Sequence, residues 1–172
     1  MLLSNTAVEL LAARLGGVYE YDPGHDELTI TAVYGQSEEV LGKTLKAGEG
    51  MAGRLVQSNE PFTIVDDYSI WPDKARIFDG QQVFGTVIEV PLKWQDQVIG
   101  VLYVDDAVGR KFTSEDGKLL RLFADHATIS LINARLIAKD AAKFRRLERL
   151  SKASNEIMNQ LGNVSLDDLL NL

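Results

Sequence analysis

Apolar and polar residues change rhythm several times along this chain, and each rhythm predicts an element. In MLLSNTAVELLAARLGG, the residues Ala7, Leu10, Leu11 and Leu15 recur at helical spacing, which predicts an N-terminal amphipathic helix. Residues 18–21 and 28–34 are rich in β-branched and aromatic side chains, with Asp22-Pro23-Gly24 as turn chemistry between them, so they predict a hairpin. A polar stretch runs to Lys46, followed by GEGMAG and a short helical pattern that ends near Ser58. PFTIVDD reads as a short strand opened by Pro61, a position that tolerates proline. Residues 68–82 keep no clean period and predict a long loop with at most one helical turn.

Two stronger strands follow, VFGTVIEVPLKW and QVIGVLYVDD, with only Gln95-Asp96 needed to join them as a tight antiparallel hairpin. The second is apolar without a break from 98 to 104, which predicts burial on both faces and therefore helices on both sides of the sheet. Thr113-Ser114-Glu115-Asp116 resembles a capping box with the shorter acid at its end. Gly117 stands where Phe112 would need a staple partner, so that cap is expected to be only partly built. Helical character then runs without a proline to about residue 162, roughly 70 Å of helix at 1.5 Å per residue. That is too long for one small sheet, and the helix is expected to leave the domain.

Composition narrows the classes. A 172-residue chain with 45% hydrophobic and 25% charged residues suits one folded domain with an appendage. Having no cysteine, it has no disulfide, thiolate metal site or thiol nucleophile. A net charge of -7 and a pI near 4.8 speak against nucleic acid as a partner. The basic cluster at 139–149 is interrupted by Asp140 and Glu148 and reads as a solvated helix face. No apolar run approaches the ~20 residues of a membrane span, so no membrane contact is expected. The N-terminus lacks a basic leader and carries Glu9, so it reads as a poor signal peptide and a cytoplasmic location is expected.

GEGMAG spells the G-x-G-x-x-G of a dinucleotide-binding turn. Such a turn needs a buried strand before it and a long crossover helix after it. Here LGKTLKA precedes it, and a helix of about two turns, cut off by Asn59 and Pro61, follows. A nucleotide-cofactor enzyme is therefore the remote reading. The chained order of LKAGEGMAGRLVQSNEPFTIVDD, VFGTVIEVPLKWQDQVIGVLYVDD and FTSEDGKLLRLFADHATISLINARL instead resembles a GAF domain, the small-molecule sensor module of signalling proteins. The resemblance spans roughly residues 6–136. It implies an α+β fold with a central antiparallel sheet of five or six strands. Helices lie on both faces, the terminal ones together on one, and short helices and loops roof a ligand pocket on the other. In that frame Gly48 and Gly50 turn the backbone sharply into a short helix, and Gly53 lets that helix pack closely.

By the same resemblance the pocket corresponds to residues 65–84 and the sheet beneath. Tyr68, Trp71, Phe78 and Phe84 would wall it, with Asp66, Arg76 and Asp79 as polar contacts, or else these aromatics only pin down the loop. Glu89, between Ile88 and Val90 on a strand that should be central, has two readings. As a buried carboxylate it would need Arg76, Arg54 or a ligand as partner; as a rim position it would reach water. The family's covalent bilin binders and sulfoxide-reducing members use a cysteine, which is absent here. The N-K…F…D-E signature of its cyclic-nucleotide binders is missing as well. His126 is a remote candidate for a haem ligand. Asp105-Asp106 reads as a turn rather than a catalytic pair. The expectation is a non-enzyme of unidentified ligand.

Beyond residue 136 the helix carries a seam. Leu147, Leu150, Ser154, Ile157 and Leu161 alternate by three and four, as in a coiled coil. Ala134, Ile137, Ala141 and Phe144 keep that alternation upstream, with a break between Phe144 and Leu147. This predicts a parallel homodimer rather than a helix folding back on its own sheet. Ser165-Leu166-Asp167-Asp168 resembles a second capping box. The expected organisation is a sensor domain over 1–136, a coiled-coil signalling helix over 137–162 and the start of a following domain over 163–172. Function is expected to be that of a non-catalytic sensory and dimerisation module of a multidomain signalling protein, a sensor histidine kinase. The other reading is a ligand-free dimerisation spacer.

Overall fold

A computed structural model describes residues 2–58, 60–78 and 85–162. Contacts divide the chain into two units, Met1–Ile129 and Ser130–Leu172. The first holds helix α1 (Leu2–Leu10), strands β1 (Leu15–Asp22), β2 (Glu27–Tyr34) and β3 (Thr44–Lys46), helix α2 (Gly50–Gln57), strands β4 (Thr63–Val65), β5 (Thr86–Trp94) and β6 (Gln97–Asp106), and the opening of helix α3 (Ser114–Gly162). The second unit holds the rest of α3. The capping-box motif at 165–168 and the expected start of a following domain lie outside the described residues.

The strands form one six-stranded sheet in the order β3-β2-β1-β6-β5-β4, and every pairing in it is antiparallel. No βαβ crossover exists in such a sheet, which removes the dinucleotide reading of the glycine motif. The two central strands, β1 and β6, each pair on both sides. Gln95 and Asp96 both have positive φ, 48° and 63°, the geometry of a two-residue turn whose twist matches its strands.

One face of the sheet carries Val18, Ile88, Val90, Leu102 and Val104 and packs against α1 and α3. In α1 the buried residues are Ser4, Ala7 and Val8, a stripe that Leu11 continues just past the helix end. Leu15, expected on that helix, instead opens β1, because the chain turns at Ala12 with φ 47°. The start of α3 is better capped than its sequence suggested. Thr113 and Asp116 exchange hydrogen bonds at 2.7 and 3.2 Å, so the box is complete. Gly117 has its own reason: a Cβ there would lie 2.6 Å from the Phe62 ring, which packs against the helix at that point.

The other face is covered by α2 and by loops. The polar stretch before the glycine motif hides β3, a three-residue edge strand with Leu45 buried between two exposed neighbours. Gly48 and Gly50, at φ 88° and 62°, reverse the chain from that strand into α2, conformations that side chains rarely adopt. The segment after β4 holds two 3-10 turns, Tyr68–Ile70 and Arg76–Phe78, where at most one was expected. Among the described residues, no helix is long and apolar enough to cross a membrane.

Candidate functional site

Under the loop-covered face, Tyr19, Tyr68, Phe78, Val87, Glu89 and Tyr103 line a cavity. Alternation in the strands places them there. Val87 and Glu89 share a face of β5, opposite Asp105 and Tyr103 of β6. Tyr19 comes from β1 and packs against Tyr103, ring centroids 5.2 Å apart and planes tilted by 44°. Tyr68 and Phe78 come from the two 3-10 turns and meet edge to face at 6.3 Å. The Tyr68 hydroxyl accepts the N–H of Ala75 at 3.1 Å, tying one turn to the next. The Tyr103 hydroxyl accepts from Gln36 Nε2, which ties the sheet to the end of β2. The cavity leaves about 10 Å³ open to the centre of a water molecule, room for roughly one water.

Glu89 is the chemical centre of this arrangement. It is 4% exposed, and its Oε2 finds no hydrogen-bond partner among the described residues. Burial pushes its carboxyl up to about 8, so it stays protonated at neutral pH. Burial likewise raises the Tyr68 hydroxyl to about 12 and lifts Tyr19 and Tyr103 above the usual phenol range. Asp105 repeats the theme further along the face. It is 1% exposed with an unpartnered Oδ2, and burial first, then the charge of Asp106, raises it to about 8. Of these two buried acids only Glu89 lines the cavity.

The structure brings together Tyr68, Phe78 and Glu89 of the residues singled out in the sequence. The rim reading of Glu89 is corrected, because its strand is covered by the loop segment. Its expected arginine partners are corrected too. Arg54 pairs with Asp73 at 2.8 Å and lies over Trp71 at 5.5 Å. Arg76 is exposed and lines a separate open groove with Glu49 and Lys74. Trp71 stands behind the wall, 5.4 Å from Tyr68. Asp66 is 65% exposed and faces Lys111 at 3.7 Å, away from the cavity. Asp79 and Phe84 lie outside the described residues.

Tyr19, Tyr103 and Asp105 escaped the sequence reading. A signal existed for Tyr103, a polar-tipped ring within an otherwise aliphatic strand. Its position opposite Glu89 depends on a bulge. Trp94 pairs with Gln97 and Lys93 with Val98, yet Leu92 pairs with Gly100, so Ile99 is the extra residue. Without it Leu102 would face Glu89. Asp105 was read as part of a turn, whereas it still belongs to β6 and pairs with Val87.

Residues 2–131 match a family model described as GAF domain. Among solved structures, the GAF domain of a phosphoenolpyruvate-protein phosphotransferase from Coxiella burnetii is similar with a TM-score of 0.69 at 23% identity, over 80% of this chain and 83% of that one. Residues 122 to 287 of a methyl-accepting chemotaxis protein give 0.67 at 19% identity, over 79% and 88%. Free methionine-R-sulfoxide reductase from Neisseria meningitidis, in complex with its substrate, gives 0.59 at 25% identity, over 71% of each chain. The first two likenesses are of fold alone.

Proposed function

The chain belongs to the GAF domain family, and on that footing we propose that it is a non-catalytic sensory and dimerisation module of a multidomain signal-transduction protein. A cytoplasmic sensor histidine kinase is the first choice for that protein. A small molecule occupies the cavity over Glu89, and α3 carries the resulting bias to whatever follows. The observation that carries this reading is the buried Glu89 carboxyl, whose Oε2 has no hydrogen-bond partner among the described residues, in a cavity walled by aromatic rings. A few polar groups among aromatic walls suit recognition of a small molecule. Reduction of a sulfoxide, which the family's rare sulfoxide-reducing members perform with a cysteine, has no thiol to use in this chain. The chemotaxis-protein fragment shows the same fold within a signalling protein.

The dimer part of the proposal rests on exposed apolar residues of α3. In the first unit Leu119, Leu122 and Ile129 are exposed. In the second, Ile137, Phe144, Leu147 and Leu150 are exposed, Leu147 by 64% and Leu150 by 59%. The side chains of Ala134, Ile157 and Leu161 lie outside the described ones. A heptad stripe on one helix is complementary to the same stripe on a second copy, which makes a parallel homodimer the natural cover.

Native mass spectrometry of gently purified protein tests both parts. A dimer carrying a stoichiometric small molecule, whose stabilising effect is lost in Glu89→Gln, is the expected result. Leu147→Asp should convert that dimer to a monomer in light scattering. A ligand shift of equal size in parent and Glu89→Gln removes Glu89 from the site, and a parent chain that is monomeric at tens of micromolar ends the dimer.

The spacer reading has one observation in its favour: the cavity is only water-sized. A clean apo dimer without thermal response to a metabolite library would support it.

A further inference from the structure

We propose that the cavity over Glu89 is a site for a water-sized protonated nitrogen, ammonium or the head of methylammonium, held by the Glu89 carboxylate within a wall of tyrosine rings. The inference rests on the sensory reading and names the ligand class of that same site. Sealed from water, the Glu89 carboxyl holds its proton rather than stand as an unpaired charge, and a cation in the cavity would supply the opposite charge that lets it ionise. The arginines nearest in sequence logic are engaged or exposed elsewhere, Arg54 on Asp73 and Arg76 in the outer groove. What faces Glu89 instead are Tyr19, Tyr68, Phe78 and Tyr103, whose ring faces attract cations.

Size and ligand count narrow the cation. The cavity has room for roughly one water, and an ammonium ion is close to water in size. Its N–H donors can be met by the two oxygens of the Glu89 carboxylate and by the faces of the surrounding rings. A metal ion would want several charged or imidazole ligands, and among the described residues no group of three or more His, Cys, Asp or Glu is placed to hold one.

Charge balance adds a signature. The titratable groups around Glu89 are Tyr19 of β1, Tyr103 of β6 and Tyr68 of the loop. Asp105 lies two residues beyond Tyr103, and the charge of Glu49 reaches Tyr68. With Glu89 protonated up to about pH 8, a cation must displace its proton to bind. Affinity should then rise about tenfold per pH unit from pH 6 to pH 8 and level off above.

The test is calorimetric titration and thermal unfolding of the whole chain with ammonium and methylammonium chloride. Sodium, potassium and tetramethylammonium chloride at equal ionic strength are the controls, at pH 6, 7 and 8. Ammonium and methylammonium should raise the parent's Tm by a few degrees beyond sodium, increasingly so at higher pH. Glu89→Gln should lose that response, while Tyr103→Phe, which keeps the ring, should retain most of it. An equal shift from potassium, an equal shift in Glu89→Gln, a response independent of pH, or no shift at all overturns the proposal. If ammonium fails while another molecule stabilises the parent but not Glu89→Gln, the ligand class falls and the sensory site stands. If no molecule does so, the sensory reading falls as well.

Discussion

The two faces of the sheet are covered to the same degree and built from different materials. On the helix face, aliphatic side chains such as Ile88, Val90, Leu102 and Val104 meet Ala7, Leu11, Leu120 and Ala124. On the loop face, three tyrosines and two carboxyls are buried among the apolar residues. The difference follows from what does the covering. Helices satisfy their own backbone groups and present only side chains, so α1 and α3 can seal a dry surface. Irregular segments must find partners for their backbone, and here they borrow side chains to do it. The Tyr68 hydroxyl takes the Ala75 N–H, and Asp67 takes the N–H of Ser69. A cover held by a few such local bonds is easier to rearrange around a ligand than one held by interlocked aliphatic side chains. Stability is concentrated on one face and chemistry on the other.

The sharpest way to break this contrast is to titrate it. Glu89 rises from an ordinary 4.5 to about 8 on folding. Below pH 4.5 both folded and unfolded chains hold its proton and it costs nothing. As pH rises from there to 8, only the unfolded chain releases the proton, so stability is progressively lost. Across that window the loss is about 5 kcal/mol. Urea unfolding at several pH values should show Glu89→Gln matching the parent near pH 4 and exceeding it by about that amount at pH 9. A parent no more sensitive to pH than the variant would mean that the loop face is wetter than described.

On the helix face the expected effects run the other way. Leu102 is fully buried there. Leu102→Ala should cost about 3 kcal/mol in denaturant unfolding, within the range for leucine truncations in a core, and that cost should not vary with pH. A loss well under 1 kcal/mol would show that this face packs loosely. The smallest effect sharpens the comparison. Thr86 shares the parity of Ile88, is fully buried, and its hydroxyl lacks a partner among the described residues. Thr86→Val should therefore stabilise by about 1 kcal/mol, seen as a higher urea midpoint. Destabilisation would reveal a bond for that hydroxyl.

Much of the fold was legible because its signals are local. The 95–96 turn lies between two apolar runs, the Thr113–Asp116 box marks the start of α3, and the glycines at 48 and 50 fit a reversal. The chained motifs also carried the family. The elements that escaped are those whose local signal is weak. β3 is three residues long among polar neighbours, and Leu15 continues a helical spacing that the positive φ of Ala12 ends. The site was legible only in part. Tyr68, Phe78 and Glu89 were singled out and converge, whereas Asp66 and Arg76 belong to the surface.

By itself, the sequence determined the longer strands and helices, that both sheet faces must be covered, and that no thiol chemistry is possible, because period, turn residues and composition are properties of neighbouring positions. Which side chains meet was decided by the tertiary structure. A single extra residue at Ile99 moves Tyr103 instead of Leu102 opposite Glu89, and in a sheet a shift of one position exchanges the two faces. Whether a carboxylate is solvated or sealed beneath a loop is likewise a matter of what distant segments do. The 3-10 turns that bring Tyr68 and Phe78 over Glu89 bury it, and burial in turn makes an ordinary acid on a strand hold its proton beside a cavity.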